Sequence, residues 1–263
     1  MMLRYLRLLA VELRISLVLG MQYRWNFVID GLVSLLWTVL GLVPLYVAFH
    51  ARPEIAGWTY ATALIVVGWF SLLKGILDGA INPSLLTVVD QIRQGTLDFV
   101  LLKPADAQFL VSTAKFEPWK VLNGLAALII FTHAFRLLGR TPSALQVLAS
   151  LGLLACATLV LYSIWILVIA AAFWVVRLDN LAYLFNSVFD FARWPVTVFR
   201  GALRLVFTFV IPLGVMTTYP AEALLGTLSL RTGLLSMAGA LTFALVSRAV
   251  WTRAIGRYTS ASS

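Results

Sequence analysis

The sequence predicts an all-α polytopic membrane protein. Of its 263 residues, 61% are hydrophobic and 12% are charged, and the mean hydropathy is +0.94. Soluble domains are about 45–50% apolar and about 25% charged, so this chain has too few charges to cover a water-facing surface. The same composition excludes a disordered or fibrous protein. The sequence is therefore expected to form one transmembrane domain over residues 1–263.

Six stretches are sufficiently apolar to cross a hydrocarbon layer of about 30 Å, once short flanking segments are included. The predicted spans are residues 25–49, 55–76, 119–136, 146–176, 200–220 and 231–250. Pro212 should kink the fifth span, because proline removes a backbone donor. Residues 221–230, which are weakly polar, are expected to dip back into the bilayer as a short re-entrant element.

Residues 180–204 contain several charges and are interpreted as a helix in the cytoplasmic interface that leads into the fifth span. Asp190, Arg193, Arg200 and Arg204 would each cost about 2.5–3.5 kcal/mol at the centre of a bilayer. The three arginines also share one face of a helix. An interfacial position avoids that cost.

The basic residues predict the orientation of the chain. Sixteen of the twenty Lys and Arg residues fall in one set of alternate loops, and the other four are Arg52, Arg136, Arg140 and Arg231. The positive-inside rule then places both termini in the cytoplasm. The net charge of +9 is accordingly assigned to loops that face an anionic leaflet rather than to nucleic-acid binding.

Residues 1–24 precede the first span and form a predicted amphipathic helix on the inner leaflet. Leu3, Leu6 and Leu13 recur at helical spacing, while Arg7 and Arg14 lie on another face. The charges also interrupt the apolar core that a signal peptide needs. This helix either only anchors the protein or also transmits motion.

Residues 82–105 form the central part of a polar segment between the second and third spans. Ser84 is expected to cap a short helix, and Gly95 to end it in a left-handed conformation. Pro104 ends the following segment. A short amphipathic helix held between two spans suits contact with a soluble partner, although a solvated hairpin without a partner has the same periodicity.

At these residues the chain resembles the permease subunits of ABC-2 type transporters, in particular a branch of short bacterial permeases with six spans. The resemblance rests on Ile92-Arg93-Gln94-Gly95-Thr96-Leu97-Asp98 and Leu101-Leu102-Lys103-Pro104, and is supported by Ile211-Pro212 and Tyr219-Pro220-Ala221. It implies a half-transporter that pairs with a second permease, identical or paralogous, in a bacterial cytoplasmic membrane. Substrate would then pass between the two permeases, along their first, second and fifth spans.

The same resemblance implies that residues 82–105 couple the permease to separate ABC ATPase subunits. The implied contact residues are Ser84, Val88, Asp90, Gln91, Arg93, Gly95, Thr96, Asp98, Lys103 and Pro104. ATP and Mg²⁺ would bind to those ATPase subunits, and this chain would carry no cofactor and contact only protein and membrane lipids. It would act as an exporter component and not as an enzyme.

The motifs of other chemistries are missing from the sequence. It has no phosphate-binding loop of the form Gly-x-x-x-x-Gly-Lys-Ser/Thr, no Gly-x-Ser-x-Gly, and no second histidine at helical spacing from His50 or His133. A secondary carrier that titrates Asp30 or Asp78 is one alternative. Snorkelling of these carboxylates to the interface, or pairing with Arg24 or Lys74, is the simpler account of them. A scaffold or lipid enzyme is the other alternative.

Overall fold

The computed structural model of the chain describes residues 2–22, 24–173 and 179–256, and this part is almost entirely helical. Its α-helices are α1 Met2–Gln22, α2 Arg24–Ala51, α3 Tyr60–Ile76, α4 Asn82–Gln94, α5 Asp98–Leu101, α6 Ala107–Ser112, α7 Val121–Leu138, α8 Ala144–Ala170, α9 Asp179–Phe189, α10 Gly201–Leu205, α11 Tyr219–Leu225 and α12 Leu230–Ile255. Strands β1 (Glu54–Ile55) and β2 (Trp58–Thr59) form a small hairpin before α3. The all-α class is confirmed.

Within the described residues, five helices are long and apolar enough to cross a membrane. They are Ile29–Ala51, Tyr60–Ile92, Pro118–Leu138, Ala144–Ala170 and Leu230–Ile255. These helices coincide with the first, second, third, fourth and sixth predicted spans. Residues 174–176 of the predicted fourth span, and residues 1 and 23 of the predicted interface helix, lie outside the described residues.

Helices α3 and α7 pack antiparallel at short range. Gly68 on α3 faces Phe131 on α7, and Gly79, just beyond α3, faces Lys120 at the start of α7. The loop after α7 leads directly into α8, so α3 and α8 begin at the same end of the bundle. We name this the opposite end, and the end beyond Ile76, where α4 lies, the tip end.

The helix of the second predicted span continues beyond residue 76. A π-helical turn, Leu77–Ile81, joins α3 to α4, so Tyr60–Gln94 is one continuous helix of 35 residues. At 1.5 Å per residue this helix is about 50 Å long, against about 30 Å of hydrocarbon. We refer to Tyr60–Gln94 as the rod.

The predicted cap at Ser84 is wrong, because no helix begins there. Ser84 lies inside the rod, is fully buried, and its hydroxyl donates to the carbonyl of Lys115. The predicted stop at Gly95 is confirmed: this residue ends α4 with φ 69° and ψ 13°, a left-handed conformation that glycine adopts without strain.

The predicted interfacial helix over residues 180–204 is also wrong. Helix α9 is followed by 3₁₀ turns at Asp190–Arg193 and Val196–Val198. Phe189 packs on Phe70 in the middle of α3, and the Trp58 indole N–H donates to Thr197 Oγ1 over 2.9 Å at the opposite end. This segment therefore rises through the bundle, and its arginines do not share one helical face.

The predicted fifth span is replaced by a bent pair of helices, Gly201–Val210 and Gly214–Leu225, which meet at 69° beside Pro212. The pair begins just after Thr197 and ends where Arg140 donates to the carbonyl of Leu225 over 3.2 Å. Both ends thus lie at the opposite end of the bundle, which is the geometry of a re-entrant element. It covers residues 201–225 rather than the predicted 221–230.

We predict that Gly68→Ala destabilises the bundle, because an added Cβ would lie 2.4 Å from Phe131 Cε1. Overpacking of this kind typically costs about 1–3 kcal/mol. The matched control is Gly152→Ala on α8, where a Cβ would meet nothing within 4 Å. Thermal unfolding of the purified protein should show a lower melting temperature for Gly68→Ala only. Equal melting temperatures for the two variants would contradict this packing.

Candidate coupling surface

The rod ends in a tight hairpin at the tip end of the bundle. After Gly95 the chain reverses, and the backbone N–H groups of Thr96 and Leu97 both donate to the carbonyl of Gln91, over 2.9 and 3.3 Å. Helix α5 then begins at Asp98. Together with the Gly95 N–H, which also donates to the Gln91 carbonyl, these bonds close the end of the helix, so the end of the rod has a defined shape.

One face of α4 is fixed to the bundle. Leu85, Val88 and Val89 are buried in the main hydrophobic cluster, together with residues of α6 and α8. Ser84 adds a polar attachment, since its hydroxyl also accepts from the backbone N–H of Lys115 over 3.1 Å. The face opposite these residues is left for solvent or a partner.

The chain just after the rod carries exposed apolar side chains. Phe99 is 70% exposed and Leu102 is 81% exposed, although both lie in the polar segment between two spans. Asp90 and Gln94 near the end of the rod, and Lys103 just after Leu102, are exposed and polar. We call these five residues the tip surface. Exposed large apolar side chains in a segment with exposed polar residues are typical of a protein contact.

The segment after the tip is attached to helix α1. Arg4 donates to the carbonyl of Pro104 over 2.7 Å, and the backbone N–H of Asp106 donates to the Tyr5 hydroxyl over 3.2 Å. The Tyr5 ring also meets Phe109 edge to face, with 4.7 Å between ring centroids. The N-terminal helix is thus joined directly to the predicted coupling segment.

The same segment is attached to the last helix, α12. The Arg248 guanidinium forms a bidentate ion pair with the Asp106 carboxylate and donates to Gln108 Oε1 over 2.7 Å. The hydrogen bond from Arg248 is the main reason that the pKa of Asp106 lies below its ordinary value. The carboxylate also caps α6 by accepting from the Phe109 N–H over 3.0 Å.

The structure separates the predicted coupling residues into buried and exposed groups. Ser84 and Val88 are buried and hold α4 in place. Asp90, Lys103 and Pro104 are exposed, and Gln91, Gly95, Thr96 and Asp98 are half-buried around the turn. Arg93 lies on α4, and its side chain is outside the part of the structure that is described.

Four functional candidates were missed at the level of sequence. Phe99 and Leu102 are three residues apart in a polar segment, and this spacing could have identified an exposed apolar pair. Asp106 and Arg248 are separated by 142 residues, and no local signal links them.

The carboxylates considered for a secondary carrier have different surroundings. Asp78 lies 3.4 Å from Lys74 Nζ and accepts from Asn82 Nδ2 over 2.9 Å, which confirms the predicted pairing with Lys74. Asp30 is exposed. The side chain of Arg24, its other predicted partner, lies outside the described residues.

A helical protein with several membrane-length apolar helices and a structured hairpin beyond one of them is a multi-pass membrane protein. A family model described as an ABC-2 family transporter protein matches residues 35–262 of the chain. The chain therefore belongs to the ABC-2 transporter family and is a membrane permease component of an ABC transporter, a class that associates with ABC ATPases. No curated protein and no solved structure matches it.

We predict that the Asp106–Arg248 ion pair stabilises the permease in a pH-dependent way. Because folding lowers the pKa of Asp106, its contribution is present above the ordinary value of 3.8 and is lost as the pH falls through the lower folded value. Asp106→Asn keeps an α6 cap but removes the charge. For a partly exposed pair the loss should be about 1 kcal/mol at neutral pH, or about 2–4 °C in melting temperature.

The measurement is thermal unfolding of wild type and Asp106→Asn at neutral pH and at pH values below 3.8. The difference between the two proteins should shrink as the solution becomes more acidic. Asp90→Asn, at an exposed position on α4, serves as the control. A difference that stays constant with pH would rule out the ionic contribution.

Proposed function

We propose that this chain is the membrane-spanning subunit of an ATP-driven exporter in a bacterial cytoplasmic membrane. Two permeases, identical or paralogous, form the substrate path, and separate ATPase subunits supply the energy. ATP and Mg²⁺ bind to those subunits, since this sequence has no phosphate-binding loop. The chain itself is not an enzyme.

The rod carries this proposal. Its length of about 50 Å exceeds the hydrocarbon thickness by about 20 Å, so its distal part extends beyond the bilayer while its proximal part lines the membrane domain. A continuous helix transfers displacement from one end to the other without an intervening flexible loop. An ATPase subunit that pushes on the tip surface would therefore move the membrane part of the same helix.

The tip surface is proposed as the contact with the ATPase. Phe99 and Leu102 supply the apolar centre that a buried contact needs, and Asp90, Gln94 and Lys103 form a polar rim. This assignment keeps Asp90 and Lys103, two exposed members of the sequence-predicted set, as contact residues. It assigns Ser84 and Val88, both buried, to holding the rod.

Movement of the tip could also reach two other helices, because the segment after the tip is bonded to α1 and α12. Arg4 and Tyr5 connect the segment after the tip to the N-terminal helix, and Arg248 connects it to the last span. Leu3 and Leu6 on α1 are exposed, in keeping with a position on the inner leaflet. Of the two roles left open for this helix, transmission of motion is the one that these contacts support.

A second permease is proposed to cover helix α2. Only 11% of the apolar window of this helix is buried, the smallest share among the five candidate spans. Trp37, which is 69% exposed, lies on it.

Both termini are assigned to the cytoplasm by the positive-inside rule. When Arg193, Arg200 and Arg204 are left out of the count, thirteen of the remaining seventeen Lys and Arg residues still fall in the loops assigned to the cytoplasm.

We predict that Phe99→Ala combined with Leu102→Ala weakens binding to the ATPase at least about tenfold, because paired apolar anchors at the centre of an interface commonly contribute more than 1 kcal/mol each. The measurement is co-purification of the partner ATPase with tagged full-length permease, followed by titration of the purified subunits. Total permease in the membrane fraction should not change.

The matched control is Leu145→Ala combined with Leu230→Ala. These leucines are 77% and 80% exposed and begin α8 and α12 at the opposite end of the bundle. The control should retain full ATPase binding. If the tip variant binds as tightly as the control, the tip surface is not the contact.

A further inference from the structure

A cavity of 440 Å³ lies inside the membrane part of the protein, away from the tip surface. It is lined by α2, α3, the start of α7 and the 3₁₀ turn Asp190–Arg193. Along α2 it reaches from Asp30 to Gly41, which is about 16 Å at 1.5 Å per residue. A site of this volume is large enough for a small ligand or a headgroup.

The cavity is lined by equal numbers of acidic and basic residues, which are Asp30, Asp78, Asp190, Lys74, Lys120 and Arg193. Four of them form two ion pairs. Lys74 lies 3.4 Å from Asp78, and Arg193 lies 3.3 Å from Asp190. Ionisable groups at membrane depth commonly mark a substrate or ion pathway, because they are costly unless paired or wet.

The other two charges have opposite signs and line the same cavity. Gly31 packs against Leu122, since a Cβ at Gly31 would be 2.5 Å from Leu122 Cδ1. Asp30 precedes Gly31, and Lys120 is two residues before Leu122. Within residues 2–22, 24–173 and 179–256, neither Asp30 nor Lys120 forms an ion pair with a described side chain.

Arg193 shapes the far end of the cavity. Its guanidinium lies 5.1 Å from the centroid of the Phe70 ring, and a Cβ at Gly41 would be 2.9 Å from its Nη1. Thr38 and Ser34 continue the polar lining along α2 between these two ends. Polar side chains are therefore present from one end of the cavity to the other.

One side of the cavity is apolar and open. Val33, Trp37 and Leu40 line it from α2, and they are 43%, 69% and 46% exposed. An acyl chain could rest along these side chains while its headgroup occupied the polar interior. The cavity thus combines a charged compartment with an adjoining apolar surface.

We propose that this cavity binds the headgroup of a zwitterionic amphiphile, with Asp30 facing its ammonium group and Lys120 facing its phosphate or carboxylate. The proposal rests on the proposed transport function and names the substrate class. A ligand with a single charge would compensate only one of the two residues. A ligand with both charges compensates both residues.

The test uses full-length permease in an uncharged detergent, without the ATPase. Binding of three amphiphiles with the same acyl chain is measured by native mass spectrometry: lysophosphatidylcholine, anionic lysophosphatidylglycerol and cationic acylcholine. Lysophosphatidylcholine should bind most tightly. Because no ATPase is present, failure here would leave the coupling proposal untouched, and failure of the ATPase-binding experiment would leave this one untouched.

Asp30→Asn should weaken lysophosphatidylcholine about tenfold, the size of a charge-assisted contact, and leave lysophosphatidylglycerol unchanged. Lys120→Gln should weaken both phosphate-bearing probes and leave acylcholine unchanged. The controls Glu54→Gln and Arg231→Gln remove exposed charges before α3 and at the start of α12, and should change nothing.

A double variant in which the two charges are exchanged controls for single variants that fail to fold. Asp30→Lys combined with Lys120→Asp should bind lysophosphatidylcholine more tightly than Asp30→Lys alone, because the pair of opposite charges is restored. The proposal is overturned if all three probes bind equally to every variant. It is also overturned if lysophosphatidylglycerol binds as tightly as lysophosphatidylcholine and Asp30→Asn affects neither, which would indicate an anion site.

Discussion

The arrangement of this protein depends on one constraint: polar groups at membrane depth must find partners within the protein. Irregular backbone is tolerated there only where it is buried in protein or lines a wet cavity. Residues 190–198 meet this condition. Thr217 donates to the carbonyl of Ala192 over 2.6 Å, and the backbone N–H of Val196 donates to Thr218 Oγ1 over 2.9 Å. The re-entrant element thereby supplies partners to the segment that crosses the bundle.

The same constraint connects the membrane cavity to the tip. Lys74 and Asp78 line the cavity and lie on the rod, whose other end forms the hairpin at Gly95. Asp78 is part of the π-helical turn Leu77–Ile81, and such turns are frequent at functional sites. In the proposed transporter, a push on the tip would therefore change the spacing of the charges around a bound headgroup.

Signals that are local in sequence predicted their part of the structure well. Five spans followed from apolar length, and the turn at Gly95 from the preference of glycine for left-handed backbone. The interfacial assignment of residues 180–204 failed because it counted Asp190 and Arg193 as separate charges on a regular helix. In the fold they neutralise each other on a 3₁₀ turn. The Ser84 cap failed because the cap rule assumes a helix start, and here a π turn carries one helix through.

The most direct test of the account is the side of the membrane on which the rod ends. In a Cys156→Ala background, which removes the single cysteine, one protein carries Gln94→Cys and another carries Glu54→Cys. Both are treated with a membrane-impermeant thiol reagent. In intact cells the reagent should label position 54 and not position 94, and in inside-out vesicles the pattern should reverse. Labelling of position 94 from outside intact cells would contradict the account.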